Sequence, residues 1–321
     1  MKYTTLISLI FFVAASATFA QPDTLIVKKT DRSDTIVFNH HFNLKHPTIR
    51  LSGSLVTDAN YKGNGFDGTL NSSEYSFGAE FGYAKDKNFF PADKWNISFP
   101  FFEYSSEDFT SEQLAKYNAC LSNYFHHGLS INYSQFETGD FSESIDNLIS
   151  VGFTTLEGAG YKFSEHSGIR LLSGSGVNWY FINGESNNEQ VEPILNSPID
   201  IDYLAHGFRF GHSYQSEVNF NVYNGISVFA NAKRDVIFPR TIFWKYTGSM
   251  ICYGLADFVV GSFTRHIKYS SPYVYPAVNF VLKSALNWGF TELQRKNMNW
   301  PFNTASPVML ESFNVGLQFE F

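Results

Sequence analysis

Within the last eleven positions of the chain, residues 311–321 (ESFNVGLQFEF), apolar and polar residues alternate strictly from Phe313 to Phe321. Successive side chains of a β-strand point to opposite faces, so this pattern predicts a strand with one apolar and one polar face. The residues of the polar face are Asn, Gly, Gln and Glu. The apolar face comprises Phe313, Val315, Leu317, Phe319 and Phe321.

Similar alternation recurs earlier in the chain and predicts eight further strands. In the clearest run, Tyr75, Phe77 and Phe81 alternate with small or acidic residues such as Gly78 and Glu80. We therefore expect an all-β protein whose strands carry large apolar side chains on one face. The eight runs lie at residues 49–55, 75–84, 95–101, 129–134, 148–163, 176–181, 217–222 and 226–230.

Residues 240–300 break this pattern. The stretch 242–267 is apolar, and Ser271-Pro272 resembles a helix start, because proline is common at the first helical positions. Within residues 277–296, five apolar residues fall near one face of a helix. They are Val278, Val281, Leu282, Ala285 and Leu293. We predict a helical insert over residues 240–300; two further irregular strands remain the alternative, because short apolar runs fit either structure.

The first residues have the pattern of a secretory signal peptide. Lys2 precedes an apolar segment, residues 6–13 (LISLIFFV), and small residues follow at 14–20 (AASATFA). This order predicts a signal peptide over residues 1–20 that is cut after Ala20. Residues 21–321 would then form one large β domain.

Composition supports a barrel and argues against two other classes. The chain has 34 Phe and 18 Tyr but only 17% charged residues, which fits strands whose apolar faces contact lipid. The formal net charge of −7 leaves no basic surface for nucleic acid. Cys120 and Cys252 are too few for a disulfide scaffold, although a single bridge stays open.

The leader, the alternating aromatic strands and the terminal Gly316-Leu317-Gln318-Phe319-Glu320-Phe321 resemble those of Gram-negative outer-membrane β-barrels, of the uncharacterised kind abundant in Bacteroidota. The resemblance implies export through the inner membrane and residence in the lipid of the outer membrane. It also implies that the barrel-assembly machinery reads the last strand. The assembly signal would comprise Phe313, Phe319 and Phe321. The resemblance carries over no other functional residue.

Barrel rules then predict a topology. Bacterial barrels have even strand numbers and short periplasmic turns. The turns at 165–168 and at Asn224-Gly225, a two-residue hairpin signal, would be periplasmic, and residues 183–206 would form an outer loop. Counting backward, the strand near Thr48 starts at the outer end and needs a partner from residues 24–38. We therefore predict a transmembrane antiparallel β-barrel of about 10–12 strands, with residues 240–300 as a cap or plug.

Barrel size limits the function. Interiors of small barrels are filled by side chains, and open channels need about sixteen strands, so we do not expect a general porin. We expect a narrow or gated transport barrel, or a structural envelope barrel, without catalysis or cofactor. No metal site is expected, because the adjacent His126 and His127 point to opposite strand faces. Polar-face residues expected in the lumen are Glu80, Glu157, Arg170, Arg209, Glu217 and Lys233.

A barrel-embedded lipid hydrolase is the alternative, and a secreted soluble β-sandwich that binds a ligand is a third reading. The hydrolase would use Ser213, with Glu217 on the same strand face. A nucleophile needs a base within hydrogen-bond reach. His212 points away from Ser213 in a regular strand, so either a β-bulge or His206 from the preceding loop would be required.

Overall fold

Eight strands close into one antiparallel barrel, as the all-β barrel prediction required. The computed structural model describes residues 46–63, 66–91, 93–99, 102–136, 143–164, 166–186, 207–223 and 225–321. The residues in these ranges do not form the two stacked sheets of a sandwich. The barrel strands are β1 (Pro47–Gly63), β2 (Phe66–Asn88), β5 (Leu121–Phe136), β6 (Glu143–Lys162), β7 (Gly168–Ser186), β8 (Phe208–Tyr223), β9 (Ile226–Ile237) and β10 (Val308–Glu320).

The two ends of the barrel differ. At one end, which we call the turn end, β8 and β9 are joined by two residues, and Gly225 there has a φ of 74°. Glycine suits this turn because it adopts positive φ without steric cost. Phe321 also lies at this end, where its backbone N–H donates to the Pro47 carbonyl. The β9–β10 connection leaves from the opposite end, which we call the loop end.

The predicted count of about 10–12 barrel strands is wrong. Eight of the nine alternating runs are barrel strands, but the run at 95–101 contributes to a separate two-stranded sheet of β3 (Asn96–Phe99) and β4 (Phe102–Ser105). Because that run was counted as a barrel strand, β1 was predicted to start at the outer end of the barrel. In the structure, β1 starts at the turn end. Residues 24–38, the proposed partner strand, and the predicted leader, residues 1–20, lie outside the described residues.

The β2–β5 connection carries this small sheet and helix α1 (Ser111–Cys120) at the turn end. Thr110 caps α1, because its hydroxyl accepts from the Gln113 N–H and the Gln113 side chain accepts from the Thr110 N–H. An aromatic cluster built on Phe89 and Phe90 joins the connection to Tyr269. The connection is therefore a compact attachment to the turn end.

Residues 240–300 form helices, as predicted, and not strands. Helix α2 (Phe243–Ser270) is followed by helix α3 (Tyr275–Gln294), and we call the pair the helical hairpin. Residues 272–274 form a turn, and Pro276 stands in the first turn of α3, later than the predicted start at Ser271-Pro272. Proline is tolerated there because that N–H would be unpaired in any helix.

The barrel interior is filled in layers. At the loop end an apolar cluster blocks the lumen, with Tyr180 donating to Asp235 at 2.7 Å beneath it. A second apolar cluster of Ala84, Tyr124, Leu156 and Leu172 lies toward the turn end. Between them lies a cavity of about 70 Å³ that is lined mainly by Ser, Asn and charged side chains. A polar cavity of this size has room for several waters.

Charged side chains cross the barrel near this cavity. Arg50 pairs with Glu80 at 3.2 Å and also with Glu217 on the opposite side of the barrel, and its side chain is only 3% exposed. His126 extends the network from Glu80 to Thr48. Gly128 makes room, because a Cβ there would lie 2.3 Å from the Glu80 carboxylate. The network joins β1, β2, β5 and β8 across the lumen.

Replacing Arg50 should destabilise the barrel strongly. Arg50→Ala leaves Glu80 and Glu217 buried without their cation, which costs about 3–5 kcal/mol in comparable cases. The free energy of unfolding in urea, followed by tryptophan fluorescence of the refolded protein, measures the loss. The matched control is Lys94→Ala, which removes an exposed pair with Glu107 and should cost under about 1 kcal/mol. Equal losses in both variants would contradict the role of the network.

Candidate functional site

The helical hairpin lies against the outer wall of the barrel. At the loop end, the Tyr246 hydroxyl of α2 lies 3.4 Å from Nδ1 of His212 on β8. At the turn end, the Lys268 ammonium lies 3.4 Å from the Asn123 amide oxygen on β5. His212 and Asn123 point away from the lumen, because Ser213 and Tyr124 beside them point inward. The hairpin therefore runs down the outside of the wall, in contrast to the predicted cap or plug.

The two helices have their polar faces buried and their apolar faces exposed. Leu255, Phe258 and Val259 of α2 are each more than 60% exposed. A helix of a water-soluble protein has the opposite arrangement, with its apolar stripe facing the core. The buried polar residues of the hairpin are Ser249, Thr264, Asn279, Asn287, Thr291 and Gln294.

No helix within the described ranges has both the length and the apolar content that a membrane span requires.

A band of polar residues on the outer wall explains why the hairpin docks there. His127, Thr155, Ser175, Tyr214 and Arg234 are register partners on five successive strands, and all point outward. We call these residues, together with Glu157, Ser173 and Ser216 on the adjacent register line, the polar stripe. The neighbouring row of register partners on the loop-end side is apolar on β2, β5, β6 and β7, where Phe81, Leu129, Phe153 and Val177 are paired in turn. On β8 this row continues with His212.

Polar groups of the hairpin bond to the part of the stripe that it covers. The Asn287 amide donates to the Gly174 carbonyl of β7 at 3.3 Å and accepts from Tyr253 at 2.6 Å. Arg234 stacks on Trp288 with 3.6 Å between guanidinium and ring centroid. The same guanidinium donates to Thr291 at 3.0 Å. These bonds join the polar face of the hairpin to the wall.

The hairpin leaves one end of the stripe uncovered. Ser173, Tyr214 and Arg234 are buried beneath it, whereas Thr155 and Glu157 on β6 are exposed at its edge. There the His127 Nδ1 lies 3.1 Å from the Thr155 hydroxyl.

A three-member ion cluster lies beside this uncovered end. Lys283 of α3 bridges Asp257 of α2 at 2.5 Å and Glu157 at 3.6 Å. Together with His127 and Thr155, this cluster places carboxylates, an ammonium group, an imidazole and a hydroxyl on the outside of the barrel.

The structure does not assemble the candidate hydrolase from Ser213 and His212. The strand is regular through both residues, without the bulge that would re-aim the imidazole. Ser213 faces the lumen and is 1% exposed, whereas His212 contacts the hairpin. Glu217 is bound to Arg50, and His206 lies outside the described residues.

Five of the six residues expected in the lumen face it. Arg170 bonds Asp86 at 2.7 Å and Glu320 at 2.8 Å, while Lys233 bonds Asp235 at 3.0 Å. Glu80 and Glu217 hold Arg50, and Arg209 lies on the inward face near the loop end, where it donates to the Pro239 carbonyl. Glu157 was misplaced, because it points outward to Lys283. Glu157 lies an even number of positions after Val151 and Phe153, whose side chains point outward. The alternation therefore already indicated that Glu157 points outward.

Sequence reasoning also missed His127, Thr155 and Arg234. Each is a polar residue at a position where the alternation of its strand directs the side chain outward. That alternation was the signal in the sequence that could have identified these residues. The described residues contain no group of three or more His, Cys, Asp or Glu side chains able to hold a metal. Cys120 and Cys252 are both free thiols.

Removing Arg234 should loosen the hairpin without unfolding the barrel. Arg234→Ala deletes the stacking on Trp288 and the bond to Thr291, a loss of about 2 kcal/mol. Amide hydrogen exchange across residues 243–294 should therefore accelerate about 30-fold, because local opening is easier. Leu255→Ala is the control, since Leu255 is 63% exposed and contacts the wall little. Unchanged exchange in Arg234→Ala would show that the stripe does not hold the hairpin.

Comparisons with known proteins give structural likeness only. No protein-family model matches the chain, and no curated protein matches it. The chain is similar to Ail, the attachment invasion locus protein of Yersinia pestis, with 8% identity, a TM-score of 0.28 and coverage of 86% of this chain and 99% of Ail. It is also similar to the outer membrane enzyme PagL, with 11% identity, a TM-score of 0.32 and coverage of 85% and 98%. Both TM-scores are low, so the barrel assignment rests on the strand pairing of this chain.

Proposed function

We propose that this protein is an integral protein of the outer membrane, and that it serves as a closed structural and interaction barrel of the envelope. The observation that carries the proposal is its reversed polarity. Arg50 and Glu217 are almost fully buried in the lumen, whereas Phe77 and Phe153 on the outer wall are 59% and 56% exposed. Water-soluble proteins rarely expose continuous apolar patches above a few hundred Å².

The hairpin extends this apolar surface. Its exposed side chains, such as Ile251, Phe258 and Phe263, continue the apolar wall of the strands. The polar side chains of the hairpin are buried against the polar stripe. Its exposed surface is therefore apolar, like the outer face of the strands beside it. We infer that lipid surrounds both.

The filled lumen supports a structural role over a transport role. The apolar cluster at the loop end includes Tyr180, Ile182 and Leu310, all at most 3% exposed. Below it, Arg50 and Arg170 are held across the barrel by ion pairs. Eight-stranded barrels typically have just enough interior for such side chains.

The orientation follows from the same rules. Short turns of bacterial barrels face the periplasm, which assigns the turn end to that side and the loop end to the exterior. Phe313 and Phe319 face outward on β10, and the terminal Phe321 is 68% exposed. These aromatic side chains are available to the barrel-assembly machinery, which we propose as a partner during insertion after export.

The mature protein should be silent in a planar bilayer. Discrete ion openings should be absent, because side chains block the lumen at both ends. Deleting residues 240–300 should not create openings either, since the hairpin lies outside the wall. Heat-modifiable migration on gels confirms that each form is folded, and resistance to carbonate extraction confirms insertion. Discrete conductance in the intact protein, or its release by carbonate, would overturn the proposal.

A lipid hydrolase is the second candidate, and one observation favours it. His127 and Thr155 are within hydrogen-bond reach on the lipid-facing wall, in the arrangement of a base and a hydroxyl nucleophile. Within the described part of the chain, no carboxylate bonds to His127 to orient it, so the arrangement is incomplete. Release of fatty acid from phospholipid vesicles that is lost in Thr155→Val would favour this candidate over the first.

A further inference from the structure

The uncovered end of the polar stripe marks a change in the outer wall. Toward the turn end, the outward residues of β2 and β6 are first apolar, then polar, then charged, while those of β5 are apolar, then polar, then aromatic. One row of register partners holds Phe81, Leu129 and Phe153, and the next holds Tyr83, His127 and Thr155. In the third row Phe125 stands between Lys85 and Glu157. If lipid surrounds the wall, this sequence of lines marks the depth at which hydrocarbon gives way to headgroups.

The ion cluster at this depth has an excess of negative charge. Glu157 and Asp257 contribute two carboxylates, and Lys283 contributes one ammonium group. The Lys283 side chain is only 12% exposed, because it lies beneath the carboxylates, which are 51% and 35% exposed. A carboxylate exposed to lipid without a full counter-charge is costly. A cationic group from outside the chain would supply the missing charge.

Hydrogen-bond donors lie beside these carboxylates. Thr155 is two residues from Glu157 on the same strand face, so their Cα atoms are about 7 Å apart. His127 adds an imidazole to the Thr155 hydroxyl. Imidazole and hydroxyl groups donate well to phosphate oxygens, so an acceptor for an ammonium group and donors for a phosphate stand side by side.

We propose that Glu157, Asp257, Lys283, His127 and Thr155 form a site for the headgroup of an amine-bearing zwitterionic phospholipid. The headgroup ammonium binds Glu157 and Asp257, and its phosphate accepts from Thr155 and His127. The acyl chains lie along the apolar line of Leu129 and Phe153. This inference rests on the proposed membrane residence, and it assigns a lipid class to the wall.

Native mass spectrometry of the full mature protein tests the site. The protein is released from nanodiscs that contain equal amounts of phosphatidylethanolamine, phosphatidylcholine and phosphatidylglycerol. Phosphatidylethanolamine should be retained about tenfold more than phosphatidylcholine, because a trimethylated ammonium has no N–H to donate to a carboxylate. Equal retention of the three lipids, or preferential retention of phosphatidylglycerol, would overturn the proposal.

Two variants separate the site from general lipid contact. Glu157→Gln should abolish the preference for phosphatidylethanolamine while the barrel stays heat-modifiable. Glu311→Gln is the matched control, because Glu311 is also an outward carboxylate but is bound to Arg234 at 2.6 Å, away from the uncovered end. It should keep the preference, and loss of preference in both variants would overturn the site. Failure to enter nanodiscs at all would instead refute membrane residence, so the two proposals fail in different ways.

Discussion

Closure of the sheet through β1 and β10 is the constraint on which the rest of the structure depends. The two strands pair from Thr48 with Glu320 to Tyr61 with Val308, so the barrel has no open edge. Closure gives every residue of a strand either an inward or an outward side chain. In lipid, it also pairs the backbone groups that an open sheet would leave unsatisfied. The charged interior and the apolar outer surface of the barrel both follow from closure of the sheet.

The polar stripe is the exception to that division, and the hairpin is the response to it. Outward residues such as Tyr214 and Arg234 would be costly against hydrocarbon. The hairpin covers both residues: the Thr291 hydroxyl of α3 accepts from Arg234, and the Asn287 amide bonds the Gly174 carbonyl beside Tyr214 on the neighbouring strand. The hairpin in turn hides polar groups of its own while exposing Leu255 and Phe258. Within the described residues, wall and hairpin therefore form a largely apolar exterior, which is interrupted at the uncovered end of the stripe, where Thr155 and Glu157 are exposed.

Local alternation predicted the fold well, because neighbouring residues of a strand show by themselves which side chains share a face. The eight barrel strands were all among the nine predicted runs, and the terminal strand at 308–320 has the predicted faces. The miscount came from the run at 95–101. A four-residue strand in a small hairpin alternates just as a barrel strand does, and alternation contains no information about which strands pair.

The site was harder to predict, because it depends on partners distant in sequence. Helices were correctly expected within residues 240–300, yet their apolar residues suited burial in a mouth as well as exposure to lipid. Only the contacts of Asn287 and Arg234 decide between these. His126 and His127 illustrate the same limit: alternation separates their faces correctly, but it does not reveal that Thr155 lies beside the outward His127.

The position of the hairpin on the lipid-facing wall is the central claim, and a spin label on α2 tests it most directly. Leu255→Cys, in a background with Cys120→Ser and Cys252→Ser, places a nitroxide on the exposed face of the hairpin. In a reconstituted bilayer, the label should collide often with oxygen, which concentrates in lipid, and rarely with a water-soluble nickel chelate. Frequent collision with the nickel chelate would put the hairpin in water and contradict the account.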